Sequence, residues 1–214
     1  MTIGPVIRIL RKEVKKYKEP SVTRVAHQKD PFLVLVSCIL SLRTKDSTTM
    51  PASERLFAKA STPKKMLSLS EKEIQKAIYP VSFFRVKARN IKRVSAILLE
   101  KHGGKVPSAM DDLLELPNVG RKTANITITL GFGKLGIAVD THVHRISNRL
   151  GFVKTATPDE TEFALRKKLP KKYWMEYNDL LVTWGQNVCV PISPKCSTCA
   201  VSRFCKRVGV ITSR

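Results

Sequence analysis

Leu113-Leu-Glu-Leu-Pro-Asn-Val-Gly-Arg-Lys-Thr-Ala-Asn125 contains the turn on which the fold of this chain is read. A short helix is expected over Ser108 to Leu116, stopped by Pro117. Pro117-Asn-Val-Gly120 then has the composition of a tight turn, because Asn118 and Gly120 are residue types that tolerate positive φ. A second helix is expected to start near Arg121. The backbone N–H groups of Asn118, Val119, Gly120 and Arg121 have no intrahelical acceptor, so turn and helix start together make an anion site. A phosphate held there positions a nucleic-acid backbone without reading its bases.

Arg121 and Lys122 are poorly placed for stability. A cation in the first turn faces the positive end of the helix dipole, at a cost of up to about 1 kcal/mol. Both could be solvated surface residues or phosphate binders. For Lys122 there is a further reading: the dipole, the neighbouring Arg121 and partial desolvation all favour its neutral amine. A neutral lysine is the nucleophile that forms Schiff bases.

Further along, Ile137-Ala-Val-Asp140-Thr-His-Val-His-Arg145 places Asp140 between an apolar run and a helix, the position of an N-cap. The same carboxylate could take a proton or stabilise positive charge on a sugar ring. His142 and His144 are spaced i, i+2 and would not share a helical face, which argues against a histidine-ligated metal. The last cysteines, Cys189, Cys196, Cys199 and Cys205, crowd four thiols into one short loop region with Pro191 and Pro194. Structural zinc also uses four cysteines, usually as two close pairs with a longer insert. One close pair wrapped round a single loop suits an iron–sulfur cubane, and both readings stand at this point.

Charge and helix signals extend the picture to the whole chain. Thirty-nine Lys and Arg against 17 Asp and Glu leave a net charge of +22 over 214 residues, an excess that calls for a polyanionic partner. No acidic residue falls between Leu180 and Arg214. A second basic stretch runs Arg85, Lys87, Arg89, Lys92, Arg93, interleaved with apolar residues, so it is expected on a folded surface. The apolar stretch at the start is short and broken by Arg8, Arg11 and Lys12, so neither a secretory leader nor a membrane span is expected, and the compartment is expected to be intracellular, with thiols reduced. Strand signals are nearly absent. Ser70 and Glu73 form a capping box, Thr157, Pro158 and Glu160 a second. Phe84 to Leu99 carries a helical apolar stripe ended by His102-Gly103-Gly104, and Pro31 to Leu42 is apolar on nearly every side, a central core helix with Cys38 as a buried, inert thiol. About ten helices joined by short loops make an all-α chain.

Taken in order, Leu116-Pro-Asn-Val-Gly-Arg-Lys-Thr-Ala-Asn125, Val139-Asp-Thr-His142 and the four-cysteine spacing resemble the endonuclease III family of helix-hairpin-helix DNA glycosylases, over roughly residues 20 to 207. The resemblance implies two helical lobes: a six-helix barrel with the hairpin at about residues 26–136, and a cluster lobe joining residues 1–25 to 137–214. It implies a DNA-binding groove between them, with a damaged nucleotide flipped into it. It implies Lys122 as nucleophile, Asp140 as catalytic carboxylate, and Cys189, Cys196, Cys199 and Cys205 as ligands of a [4Fe–4S] cluster. The implied activity is removal of oxidised pyrimidines from double-stranded DNA, followed by cleavage 3′ to the abasic site by β-elimination, by a monomer. Lys195 in the cysteine region is expected at the DNA.

Two positions depart from the family pattern, and a third can be read two ways. Arg43, in Ser41-Leu-Arg-Thr-Lys-Asp46, stands where a glutamine commonly fills the space left by the flipped base. Phe83 lies where an apolar wedge is expected, and could equally be core. Asn118 replaces a usual hairpin glycine. Alternatives are a mismatch-specific thymine or uracil glycosylase, whose members generally lack a lysine at position 122, and a noncatalytic iron–sulfur DNA-binding protein, which needs neither Lys122 nor Asp140.

Overall fold

A computed structural model describes residues 2–214, and every regular element among them is helical. The chain divides into two compact units: residues 21–134, and the N-terminal residues to Pro20 together with Leu135–Arg214.

The continuous unit holds α2 (Ser21–Ala26), α3 (Pro31–Ser41), α4 (Asp46–Lys59), α5 (Pro63–Ser68), α6 (Glu71–Ile78), α7 (Phe84–His102), α8 (Met110–Leu114) and α9 (Arg121–Ile126). As its all-round apolarity requires, α3 is the central helix, buried from Phe32 to Leu40. Each large side chain so buried is worth about 1.5–3 kcal/mol. Asp30 starts α3 by accepting from the N–H groups of Phe32 and Leu33, and Pro31 sits in the first turn. Cys38 lies inside this helix, fully buried. Straight after α9 the backbone widens into a π turn, Thr127–Gly131, packed on α3. A Cβ at Gly131 would come 3.1 Å from the Pro31 Cα, so glycine permits that approach.

Local signals are realised with small differences. The Ser70–Glu73 box is complete. At Thr157 the hydroxyl accepts from the Glu160 N–H, but the Glu160 carboxylate reaches the N–H of Ala156 instead of the N-cap's own. The α7 helix runs to His102, where Gly103 and Gly104 both take positive φ. The basic stretch along α7 is not wholly a solvated face, contrary to expectation. Arg85, Arg89 and Arg93 are exposed, whereas Lys87 is buried and Lys92 donates to the carbonyls of Leu67 and Leu69 at the end of α5. The reason is register: Lys87 shares the inward stripe with Ile91, Val94 and Leu98.

The split unit contains α1 (Gly4–Glu13), α10 (Thr141–Arg149), α11 (Pro158–Lys168) and α12 (Trp174–Asn187), followed by the cysteine-bearing loops. Val6, Ile7 and Leu10 of α1 join Val143, Ile146, Leu165, Tyr177, Leu181 and Trp184 in its core. No helix among the described residues is long and apolar enough to cross a membrane.

Candidate functional site

In the continuous unit, the hairpin is anchored by three buried side chains, Leu113, Leu116 and Val119. The turn closes through the Val119 N–H on the Leu116 carbonyl, 3.1 Å. Asn118 supplies the left-handed residue (φ 64). Gly120 does not, contrary to expectation: it is extended (φ −99, ψ 179) and is the N-cap of α9, its carbonyl accepting from the Ala124 N–H at 2.9 Å. One left-handed residue suffices to reverse the chain. A Cβ at Gly120 would meet nothing within 4 Å, so the backbone is open to solvent just where α9 begins.

Lys122, the second residue of α9, is half-buried and has no hydrogen-bond or ion-pair partner among the described residues. Its charge is felt at Cys38 in α3: burial pushes that thiol up to about 12, and Lys122 works weakly against the shift. Cys38 is thus inert in the folded chain, and Lys122 lies over the α3 side of the hairpin.

Elsewhere in the same unit, Arg43 and Phe83 come together, the guanidinium lying 5.8 Å from the ring centroid. Both residues are left-handed (φ 55 and 57) and exposed, Phe83 to 60 %. The core reading of Phe83 is therefore corrected. Its neighbours Val81 and Phe84 take the places against the core, and Phe83 points outward. A non-glycine residue in this conformation costs roughly 1–2 kcal/mol, which surrounding contacts must offset.

In the split unit, Asp140 is the N-cap of α10. Its Oδ1 accepts from the N–H groups of His142 and Val143, both at 2.9 Å, and no described hydrogen bond engages Oδ2. Capping thus fixes the carboxylate through one oxygen and leaves the other available. The two histidines face different neighbours: His142 Nδ1 lies 3.0 Å from Arg145, His144 Nδ1 2.7 Å from the Thr161 hydroxyl. A Cβ at Gly185 of α12 would stand 2.4 Å from His142 Nδ1, so glycine makes room for that imidazole.

The four late cysteines line one pocket of about 430 Å³, open space at its mouth included, with Ile146, Arg149, Trp184 and Val188 among its walls. Among the described residues no three His, Cys, Asp or Glu side chains converge as they would on a single ion. Burial pushes the Cys199 and Cys205 thiols up, and the other thiols add to the shift; the Arg207 N–H, which donates to Cys205 Sγ, pulls Cys205 back. Arg149, only 9 % exposed, donates to Cys189 Sγ at 3.4 Å and to the carbonyls of Val190 and Pro191. Arg145 donates to the Cys189 carbonyl at 2.8 Å. These two arginines bring positive charge to the thiols and were not singled out from sequence. Their signal is i, i+4 spacing on α10 amid Val143, Ile146 and Leu150. Lys195 is exposed in the loop between the first two cysteines.

Residues 36–171 match the model of the HhH-GPD superfamily of base excision DNA repair proteins. The chain is 48% identical to endonuclease III of Thermotoga maritima over 177 residues, 83% of each protein. It is 44% identical to endonuclease III-like protein 1 of Bos taurus, covering 81% of this chain and 58% of that one. It superposes on a structure of a trapped endonuclease III–DNA covalent intermediate, an estranged-adenine complex, with TM-score 0.81, 34% identity and 97% of each chain covered. A thermostable thymine-DNA glycosylase, at 23% identity and TM-score 0.76, shares the fold. With a hairpin leading into Lys122, a capped Asp140 and four thiols round one pocket, this chain belongs to the endonuclease III family of the HhH-GPD superfamily.

Proposed function

We propose that this protein, a base excision repair DNA glycosylase and AP lyase, removes oxidised pyrimidines from duplex DNA with Lys122 as nucleophile and Asp140 as catalytic carboxylate. The observation that carries the reading is Lys122 itself: a half-buried residue in the first turn after the hairpin, with no hydrogen-bond or ion-pair partner among the described residues. A relative at 34% identity was captured as a covalent intermediate with DNA, which supports a covalent step.

The chemistry follows from the side chains. The N–H of Gly120, at the open start of α9, holds a backbone phosphate; Val119, expected at the DNA, instead spends its N–H on the Leu116 carbonyl and its side chain in the core. The exposed cations, Lys195 among them, add sequence-independent affinity. Asp140, with Oδ2 free of any described hydrogen bond, stabilises the charge that develops on the sugar as the C1′–N bond breaks and its electron pair leaves with the base. The neutral Lys122 amine bonds to C1′; the ring oxygen departs from C1′ and takes a proton, leaving an iminium. Loss of the 2′ proton sends the C–H electrons toward the iminium, and the 3′ phosphate is expelled. Water then releases the lysine. Arg43 and Phe83 fill the space vacated in the duplex, and a ring-saturated pyrimidine, which stacks poorly, costs less to extrude.

Cys189, Cys196, Cys199 and Cys205 fit a [4Fe–4S] cluster. A single zinc would draw its sulfurs to about 2.3 Å from one point. Four thiols spread round a pocket match a larger inorganic core, and N–H donors to Cys189 and Cys205 suit its sulfurs. When bound, the cluster ties the loops after α12 into one rigid surface. Iron analysis of the purified protein should return four irons per chain with absorbance near 400 nm; a colourless zinc protein would refute the assignment.

Borohydride trapping on an abasic-site duplex tests the central claim. Wild-type protein should form a covalent adduct and Lys122→Ala should not. An adduct that persists in Lys122→Ala would overturn the nucleophile.

A further inference from the structure

Lys87 has no part in the chemistry above, yet it is among the most completely engaged side chains in residues 21–134. It is 3 % exposed. Its ammonium donates to the carbonyls of Leu40 (2.8 Å) and Leu42 (2.6 Å) at the end of α3, and to the Thr44 hydroxyl oxygen (3.1 Å). All three of its protons are used. The Thr44 oxygen accepts a second bond, from the Ser82 N–H at 3.2 Å. Arg43 lies between Leu42 and Thr44, and Phe83 follows Ser82. The lysine and the threonine therefore join the segment carrying Arg43 to the segment carrying Phe83. The Lys87 N–H also donates to the Phe83 carbonyl, 3.0 Å, which fixes Phe83 to the first turn of α7.

We propose that Lys87, acting through Thr44, is the positioning residue that holds Arg43 and Phe83 as one wedge, a guanidinium against an aromatic ring, presented to a duplex from which a nucleotide has been extruded. This rests on the DNA glycosylase reading above. Two adjacent left-handed residues relax unless bonds on either side hold them, and here the bonds on both sides converge on one hydroxyl and one ammonium. Burial pushes that ammonium down to about 8, a cost that an apolar side chain in the same space would not carry. An aromatic face with a guanidinium suits unstacked bases, because both present flat, weakly hydrated surfaces to the base edges and faces. A lysine that served stability alone could satisfy α3 by its last carbonyls; the third bond, to Thr44, adds nothing to α3 and fixes the tip.

The test compares Lys87→Met with wild type on two substrates: excision from a duplex carrying one ring-saturated pyrimidine, and borohydride trapping on a single-stranded abasic oligonucleotide, which needs no wedge. Loss of a positioned tip should lower duplex excision about 10- to 100-fold, far more than single-strand trapping. In an Arg43→Ala/Phe83→Ala background the same substitution should cost nothing further on the duplex. Thr44→Val, a milder change, should show the same pattern and serves where Lys87→Met folds poorly. Equal losses on both substrates, or an undiminished effect once both tips are removed, overturn the clamp while leaving the lyase intact. Wild-type protein that traps on no abasic strand overturns the lyase reading and the clamp with it.

Discussion

The starts of α7 and α9 are built alike and used differently. Each is entered through a left-handed non-glycine residue, Phe83 in one and Asn118 in the other, and each carries a lysine in its first turns. At α7 the lysine turns inward, and three acceptors take its three protons. At α9 the lysine is half-buried with no partner among the described residues. A saturated ammonium is a staple; an amine without a partner is left open to a substrate. The difference lies in what surrounds the amine and not in the residue type.

The sharpest way to break this contrast is Lys122→Ala. Strand cleavage and trapping should fall to background while the melting temperature stays near wild type, because no hydrogen bond or ion pair among the described residues is lost. Retained cleavage would make α9 no more reactive than α7.

Asp140→Asn extends the comparison to a third helix start. Asparagine caps as well as aspartate, so stability should change by well under about 1 kcal/mol. Excision should drop by about 10²- to 10⁴-fold if the free carboxylate oxygen acts on the sugar. Single-turnover excision beside a thermal melt separates the roles, and an unchanged rate would leave Asp140 a cap alone.

At α7 the effect is on stability against pH. Burial holds the Lys87 ammonium down to about 8 from an ordinary 10.5. Between those values the unfolded chain binds more protons than the folded one, so the contribution of Lys87 to stability rises with pH through this window. Below about 8 both states are protonated and the burial cost is present in full. Urea unfolding at several pH values should therefore show wild type gaining on Lys87→Met as pH rises from 8 to 10. A constant gap would mean that the ammonium is not buried in solution.

The smallest effects belong to the hairpin turn. Gly120→Ala should alter stability by no more than about 0.5 kcal/mol, since its φ is ordinary and its Cβ would meet open space. Asn118→Ala should cost more, roughly 1 kcal/mol, through the left-handed conformation. Chemical denaturation of the pair decides; a reversed order would mean that Gly120, and not Asn118, carries the left-handed conformation.

Much of this was legible in local sequence. Alternating helix signals, the Ser70–Glu73 box and the all-apolar α3 depend on neighbours a few residues away, so α3, α6 and α7 could be read directly. Asp140 as a cap was legible for the same reason. Phe83 was not: whether a lone aromatic points in or out depends on which of Val81, Phe83 and Phe84 reaches the core first. Gly120 was misread because composition shows which residues tolerate positive φ and not which one uses it.

By itself the sequence determined the helical class, the hairpin, the candidate amine and carboxylate, and the four thiols, because each is written in residues close together along the chain. Only the tertiary structure decided that Lys87 is interior and bound to Thr44, that Arg43 and Phe83 share one tip, and that Arg145 and Arg149 serve the thiol pocket. Those outcomes join residues some forty positions apart, and hydrogen bonds at that separation are set by packing, which no local pattern encodes.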